Sequence, residues 1–441
     1  MMRTKLHLTL WLVALFLGLM GSALHARGQT SGDIGENNSI HWEYDEATKT
    51  LTISGQGEIP AYNHDGKTPW QEFNRTLMHI DIHEGVSSIG GSNFQYLENL
   101  ISIKLPNSMK NIGGGVFEYC NKLKSVVIPS SVIQIGAEAF EACAELSSIT
   151  VDKDNPNYSS VDGVLFNKEK TELILYPAGR SETAYAIPDG IRKLNLKSFA
   201  SLHSKLVSVK IPASVEEIDG ASFLWCKKLV SIIVDDRNPY YSSIDGVLFN
   251  KEKTVLIRYP EGRTNTSYTI PSQVKEIGEN SFRDCENVIS VTIPDGVTVL
   301  QDLAFWGCHN LEHLNIPNGV RYIGRLTLSS CKLSSIRIPS SVTVLGDAAL
   351  SCTPLSTIRV DEYNPNYVVI DEVLYDKTKE SLIKYPIGRT ASSFAIPSNV
   401  KKICNGAFEC SQNLSAIQIP FGVEEIGREA FGCIYRLFSI D

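Results

Sequence analysis

A unit of 23 residues repeats along the chain after residue 79. Three copies, which begin at Ser102, Ser125 and Ser208, show it most clearly. They follow the pattern S-h-x-h-P-x-x-V-x-x-I-G-x-x-A-F-x-x-C-x-x-L, in which h is a hydrophobic residue. A fixed period of roughly 20 to 29 residues is typical of stacked units that cannot bury their apolar faces singly. The repeat therefore predicts a solenoid.

The aromatic position of the pattern gives the number of coils. It is occupied by Phe94, Phe117, Phe140, Phe199, Phe223, Phe282, Phe305, Leu328, Leu350, Phe408 and Phe431. We therefore expect eleven coils.

Each part of a coil has a predicted conformation. Val126 and Ile128 alternate with Val127, which is the period-2 mark of a short strand with Val127 outward. Proline follows and should end the strand. Gly136 should supply a backbone conformation that other residues resist, and the segment around Phe140 should form a short helical or 3₁₀ turn.

The pattern resembles a known repeat family. Leu123 to Ile128 and Leu229 to Val234 fit the leucine-rich-repeat core L-x-x-L-x-L, and the IP…IG…AF…C version resembles the BspA-like family of bacterial secreted and surface proteins. The resemblance covers the chain from about residue 40 to its C-terminus. It implies an α/β, β-rich right-handed solenoid with parallel strands in one sheet and short helical turns. The resemblance also implies an adhesin of a host-associated bacterium. Some adhesins of this family recognise extracellular-matrix proteins of the host.

Three units are longer than the others, near residues 152–187, 235–270 and 361–396. Each contains two alternating apolar runs around a short polar connection, which predicts a β-hairpin insertion. The hairpins should span Asp162 to Pro177, Asp245 to Pro260 and Asp371 to Pro386. We call these three insertions the lobes, and we expect them to project from one edge of the solenoid.

The N-terminal region divides into two segments. Residues 1–28 have the basic start, apolar run and small residues of a signal peptide. The apolar run, Leu8 to Met20, is too short for a membrane span. Residues 29–78, with Trp42 and Trp70, should form an N-terminal β cap on the solenoid at 79–441. We expect an exported protein, extracellular or associated with the cell envelope, whose mature chain has no integral membrane segment.

Nine of the ten cysteines follow the aromatic position by two or three residues. One thiol per coil favours free, buried, structural thiols over disulfides. The exception is Cys404, which replaces the glycine of I-G. A bridge from Cys404 to Cys410 or a lone reactive thiol is possible, but a tolerated substitution is favoured.

The sequence favours neither a metal site nor a cofactor. C-x-x-C is absent from it. Asp152, Asp154 and Asn157 faintly resemble a calcium loop, but side-chain-capped turns explain them better. Catalytic groups in a recognised arrangement are also absent, so we do not expect an enzyme.

The outward residues of the strands form the predicted binding surface, which we call the strand face. It consists of Asp81, Lys104, Val127, Thr150, Lys210, Ile233, Thr292, Asn315, Arg337, Arg359 and Gln418. Arg337 and Arg359, with the neighbouring Arg321, give its C-terminal part a basic character. Trp225 and Trp306 are further candidates for protein or sugar contacts.

These features lead to two hypotheses. A formal net charge of −8 argues against a nucleic-acid partner. The first hypothesis is an adhesin-like module that binds an extracellular or cell-surface protein, or a glycan, of a host or neighbouring cell through the strand face and the lobes. The alternative is a carbohydrate-capturing or structural component of the envelope. An open groove between Trp225 and Trp306 would favour sugar, whereas a flat face with Arg337 and Arg359 would favour protein.

Overall fold

The computed structural model describes residues 30–62, 68–195, 197–199, 201 and 203–437, together with the backbone of 439–440. The predicted signal peptide lies outside the described residues. The chain forms two compact units, the first made of Met1–Cys143 with Val151–Asn157 and the second of Ala144–Thr150 with Tyr158–Asp441. The predicted domain boundaries stay predictions.

The first unit contains ten strands within its described residues. They are β1 (Ser31–Ile34), β2 (Ile40–Asp45), β3 (Thr50–Gly55), β4 (Gly57–Ile59), β5 (His79–Ile82), β6 (Val86–Ile89), β7 (Ser102–Lys104), β8 (Asn111–Ile112), β9 (Ser125–Ile128) and β10 (Gln134–Ile135). Two 3₁₀ turns, Glu36–Asn38 and Gln71–Phe73, lie between them.

The remaining strands follow in chain order. They are β11 (Ser148–Val151), β12 (Tyr158–Val161), β13 (Val164–Asn167), β14 (Glu172–Leu175), β15 (Ala184–Ala186), β16 (Lys193–Leu194), β17 (Ser208–Ile211), β18 (Glu217–Ile218), β19 (Ser231–Val234), β20 (Tyr241–Ile244), β21 (Val247–Asn250), β22 (Val255–Arg258), β23 (Ser267–Thr269), β24 (Glu276–Ile277), β25 (Ser290–Thr292), β26 (Val299–Leu300), β27 (His313–Leu314), β28 (Tyr322–Ile323), β29 (Ser335–Ile338), β30 (Val344–Leu345), β31 (Thr357–Val360), β32 (Tyr367–Ile370), β33 (Val373–Asp376), β34 (Ser381–Lys384), β35 (Ser393–Ala395), β36 (Lys402–Ile403), β37 (Ala416–Gln418), β38 (Glu425–Ile426) and β39 (Ser439–Ile440).

Two rows of parallel strands run along each unit. In the first unit β3, β5, β7 and β9 pair in one row and β4, β6, β8 and β10 in the other, while β1, β2 and β3 are antiparallel. In the second unit β15, β17 and β19 form part of one row and β14, β16 and β18 part of the other. The predicted parallel strands are confirmed. The prediction of a single sheet was wrong, because the V-x-x-I segments also pair from coil to coil and form the second row.

Each lobe is a three-stranded antiparallel sheet, of which the second and third strands are the predicted hairpin. Its third strand, β14, β22 or β34, then pairs in parallel with the next coil. Each lobe therefore supplies a coil of its own. In these coils Tyr176, Tyr259 and Tyr385 take the aromatic position and stack on Phe199, Phe282 and Phe408.

The number of coils exceeds the prediction. Trp70 occupies the aromatic position ahead of Phe94, with 5.4 Å between the ring centroids. Together with the three lobe coils it raises the total from eleven to about fifteen among the described residues. The pattern missed these four because tryptophan or tyrosine replaces phenylalanine and the cysteine is absent.

The turn around each aromatic residue is not helical. Glu138 and Ala142, two residues before and after Phe140, have φ of 61° and 56°. Residues in the left-handed region interrupt the right-handed dihedrals that a helix requires. The predicted helical turns are therefore single hydrogen-bonded turns.

Gly136 is needed for close packing rather than for its backbone angle. It does not have a positive φ. A Cβ at this position would lie 2.3 Å from the amide nitrogen of Gly114 in the neighbouring coil. The glycine thus permits adjacent coils to approach each other at the corner.

Candidate binding surface

The residues of the strand face are exposed, as the alternation of side chains predicts, except Asp81, which is half-buried. In the second unit Lys210 and Ile233 are neighbours in register, as are Arg337 and Arg359. All four are exposed, while the residues on either side of them point into the core or lie partly covered. Adjacent strands are roughly 4.8 Å apart, so each pair forms one continuous patch.

The candidate cations differ in their partners. Lys104 in the first unit lies 3.2 Å from a carboxylate oxygen of Asp81 on the neighbouring strand. Arg337 contacts Asp361 at 2.8 Å and Asn318 at 3.0 Å. Among the described residues, no carboxylate lies within ion-pair distance of Arg359. Lys210 likewise forms no ion pair with the described residues and is exposed. Arg359 and Lys210 are therefore the cations on this face that are most available to a partner.

Arg321 does not join the pair at Arg337 and Arg359. It precedes β28, which belongs to the row of short strands, whereas Arg337 and Arg359 lie on β29 and β31 of the other row. The prediction of one basic patch with Arg321 was wrong. Residues close in sequence fall on different sides of a coil, because a corner separates the two rows.

Trp225 and Trp306 lie on the turn side of the second unit, and both are half-buried. The guanidinium of Arg283 lies between them, 5.7 Å from the ring centroid of Trp225 and 4.6 Å from that of Trp306. The ammonium of Lys197 lies 4.8 Å from the ring centroid of Trp225. The two rings thus share one cation in a cation–π stack, rather than flanking an open groove.

A buried ion pair supports Trp225 from beneath. Arg258 and Glu261 are both almost fully buried and hydrogen-bonded to each other. Glu261 also accepts the backbone N–H of Trp225 at 2.8 Å. Arg258 donates to the carbonyl of Asn280 at 2.5 Å. Burial outweighs the attraction of Arg258 and raises the pKa of Glu261 to about 7.

The pair fills a gap left by its coil. Tyr259 follows Leu256 by three positions, whereas Phe282 follows Ile277 by five. The coil of the second lobe therefore has a shorter turn than the coils that flank it. Sequence reasoning missed the pair, although R-Y-P-E in place of L-Y-P-A of the first lobe was the available signal.

The Asp/Asn-Pro segments of the lobes are capped turns. Asn238 is fully buried, and its amide group donates to the carbonyls of Pro212 and Val215, both at 2.9 Å. Its side-chain oxygen accepts the N–H groups of Tyr240 and Tyr241. Asn155 and Asn364 make the same two amide contacts to their preceding coils. Of the residues that resembled a calcium loop, Asp152 accepts the backbone N–H of Asp154 at 2.9 Å, and the amide of Asn157 donates to the carbonyl of Ile133 at 2.8 Å. These are the contacts of a side-chain-capped turn.

The cysteines form two rows, whereas the sequence predicted a single row of buried thiols. The six that follow the aromatic position by three residues are buried and free, and each thiol points at a carbonyl of the preceding coil: Cys120, Cys143, Cys226, Cys285, Cys308 and Cys331. Those that follow by two lie in the outer row, where φ is positive. A difference of one residue in the spacing from the aromatic position therefore determines whether a thiol lies in the core.

Two cysteines of the outer row are joined. Cys352 and Cys410 form a disulfide, and Cys433 is exposed. The expectation of free thiols at Cys352 and Cys410 was wrong. Cys404 is free and half-buried, which agrees with the favoured substitution rather than with a bridge to Cys410. Glu409 lies close enough to both sulfurs for the three to hold a metal ion. In the disulfide, however, the two sulfurs are bonded to each other rather than available as thiolates.

The comparisons with known proteins identify the family. The BspA type leucine rich repeat region matches residues 71–183, 178–268, 259–378 and 388–441, with six copies of its unit. The chain belongs to this family. It is thus a leucine-rich-repeat scaffold, and the family describes a repeat region rather than a catalytic domain.

Several solved structures are similar to the chain. A leucine-rich repeat protein from Eubacterium ventriosum is 21% identical over 92% of this chain and 95% of its own, with a TM-score of 0.47. A leucine rich cell surface protein from Faecalibacterium prausnitzii is 20% identical over 93% and 94%, with a TM-score of 0.40. The pneumococcal vaccine antigen PcpA is 16% identical over 89% and 88%, with a TM-score of 0.43.

A search of curated proteins finds no match to this chain. Within the part of the chain that the structure describes, helices with the length and apolar character needed to cross a membrane are absent.

Proposed function

We propose that this scaffold is exported and binds a protein partner through the strand face of the second unit. The observation that carries the proposal is the adjacency of Arg337 and Arg359, which are exposed and in register on neighbouring strands. Core positions repeat from coil to coil, whereas the residues of the strand face differ in charge and size. A surface that varies over a constant core is suited to recognition.

The partner is best matched by an acidic protein surface. Arg359 can bind a carboxylate of the partner without breaking an existing ion pair, because it forms no ion pair with the described residues. Arg337 can exchange Asp361 for a carboxylate of the partner, since both side chains are partly exposed and such a pair contributes little stability. A planar guanidinium also permits two parallel hydrogen bonds to one carboxylate.

A glycan ligand is less well matched at Trp225 and Trp306. A sugar that stacks on the inner faces of these rings would have to displace Arg283. It would also lose two cation–π contacts. We therefore expect the tryptophans to stabilise the turn side rather than to form the main contact.

The experiment that tests the proposal is a binding screen of the exported chain on arrays of extracellular-matrix proteins and glycans. Arg337→Glu with Arg359→Glu should weaken binding to a protein hit at least about tenfold, which corresponds to roughly 1.4 kcal/mol. The matched control is Arg321→Glu with Lys401→Glu, which changes the net charge equally away from the strand face. An equal loss of affinity in both variants would show that the effect comes from net charge rather than from the strand face. Hits confined to glycans would overturn the proposal.

The export proposal has its own measurement. Cleavage of a signal peptide should leave a mature N-terminus near residues 24–29 in protein recovered from the medium or envelope. An intact Met1 on cytosolic protein only would contradict it.

A further inference from the structure

A cavity of about 260 Å³ lies beside the third lobe, between the turns of the coils that contain Leu350 and Phe408. Lys384, Cys404, Asp347 and Lys402 are among its lining residues. Asp347 is exposed and Lys402 is half-buried, so the cavity is open at their side. Its volume is below the roughly 300–1,000 Å³ of pockets for drug-sized ligands. A cavity of about 150 Å³ is known to bind benzene, so this one can hold a molecule of up to about ten heavy atoms.

The cavity has the same origin as the gap in the second lobe. Tyr385 follows Leu382 by three positions, so this coil also has the shorter turn. Here the flanking coils are joined over it by the Cys352–Cys410 disulfide. The space that Arg258 and Glu261 fill in the second lobe is left partly open.

Lys384 is a buried cation without an ion pair among the described residues. It takes the place of Arg258, but Ile387 stands where the second lobe has Glu261. Its Nζ donates to the carbonyl of Gly406 at 3.0 Å, and the attraction of Glu409 favours its charged form less than burial disfavours it. Burial disfavours the charged form and lowers the pKa of Lys384 to about 7.

Burial acts in opposite directions on the two nucleophiles of the cavity. It raises the pKa of the Cys404 thiol to about 11, which keeps the sulfur protonated at neutral pH. It leaves much of the Lys384 amine neutral at the same pH. A neutral, desolvated lysine is the form that attacks carbonyl carbons. The amine is therefore the nucleophile that this cavity offers.

We propose that Lys384 captures a small aldehyde or ketone in this cavity as an imine. The nitrogen lone pair forms a bond to the carbonyl carbon, and the C=O electron pair moves to oxygen. A proton transfer from nitrogen to oxygen gives a carbinolamine. Loss of the hydroxyl as water, with the second amine proton, leaves the C=N bond. The step consumes one carbonyl compound, releases one water and requires neither oxidant nor reductant.

The test uses the whole chain with limiting propanal and sodium cyanoborohydride at pH 7. The reagent reduces an imine to a stable propyl amine, which peptide mass spectrometry locates. An exposed lysine with an ordinary pKa is neutral in only about one molecule in a thousand at this pH. We expect at least about ten times more propylation at Lys384 than at the exposed Lys401, whose pKa is raised by Glu380. Labelling that spreads over exposed lysines and spares Lys384 would overturn the proposal.

Two further arms separate the cavity from simple reactivity. An aldehyde borne on a macromolecular carrier, such as oxidised dextran, should label Lys401 but not Lys384, because the carrier is far larger than a cavity of about 260 Å³. Equal labelling of Lys384 by both aldehydes would refute a role for the cavity. Lys384→Arg, with Lys401→Arg as its control, should remove this one product while circular dichroism reports the same fold. These outcomes do not depend on binding at the strand face.

Discussion

Arg258 donates a hydrogen bond to Glu261 in the gap between two coils, and both side chains are almost fully buried. The first lobe has Leu175 and Ala178 at the same two positions. The same two positions are therefore filled by an ion pair in the second lobe and by apolar side chains in the first lobe.

This comparison predicts the effect of replacing the pair. Glu261→Ala leaves the guanidinium of Arg258 and the backbone N–H of Trp225 buried without their acceptor, and it should lower the free energy of unfolding by about 3–5 kcal/mol. The double change Arg258→Leu and Glu261→Ala copies the first lobe and should cost less than about 1 kcal/mol, or stabilise the protein. Urea unfolding of the three proteins measures both effects. A double variant as unstable as the single one would contradict the prediction.

The same glutamate should make stability depend on pH. Its pKa rises from 4.5 in the unfolded chain to about 7 in the folded protein, so the folded state binds the extra proton between these values. The free energy of unfolding should therefore fall as pH rises from 4.5 to 7 and then level off, as far as this group contributes. The stability of wild type relative to Glu261→Gln should shrink over that interval. A difference that is constant from pH 5 to 8 would disprove the assignment.

Asn238 should contribute more to stability than an exposed asparagine that makes a similar contact. Asn238→Ala removes two donors from buried carbonyls and one acceptor from two N–H groups. We expect a loss of about 2–4 kcal/mol, since each buried group left unpaired costs about 1–3 kcal/mol. The matched control is Asn310→Ala, which removes one exposed hydrogen bond to Glu286. Thermal unfolding should place the control within about 1 kcal/mol of wild type.

Cysteine alkylation should distinguish the two rows of thiols. In unfolded, unreduced protein, eight cysteines should react and a Cys352–Cys410 linked peptide should remain. In folded protein, Cys433 should react first because it is exposed, whereas burial protects Cys226 and raises its pKa to about 12. Mass spectrometry after timed alkylation gives both results. Disulfides among the six inner cysteines would refute their place in the core.

The glycine of the I-G corner should not tolerate a larger residue. In Gly346→Ala the new Cβ would lie 2.4 Å from the backbone nitrogen of Arg325, so the coils would have to separate. We expect a loss of about 1–3 kcal/mol. Gly220→Ala is the control in the same unit, since nothing lies within 4 Å of its added Cβ. Similar unfolding midpoints for the two variants would argue against the packing role.

The sequence was informative wherever a repeat position has one physical role. Val126 and Ile128 alternate with Val127, and this alone gave the buried and exposed sides of the strand. The predicted number of coils was too low because it missed the coils of Tyr176, Tyr259 and Tyr385. In these coils a buried tyrosine replaces phenylalanine and the surrounding pattern is not kept. The site was less predictable. Arg321 and Arg337 are only 16 positions apart in the chain, but a corner places them in different rows.

Partners that come from different coils were not visible at all. Arg283 between Trp225 and Trp306 depends on the shorter turn of the second lobe. The same is true of Cys352 and Cys410, which are 58 positions apart and meet over the third lobe. A pattern of 23 residues describes neighbours one coil apart. It does not describe contacts that pass over a coil.

The Cys352–Cys410 bond also determines how the second unit would respond to mechanical tension. A chain pulled from its ends transmits force through the bond, so the 58-position segment that it encloses carries no load. At about 3.5 Å per residue this segment withholds about 200 Å of extension until the bond is reduced. The third lobe lies in this shielded length, and so do Lys384 and Cys404 of the cavity.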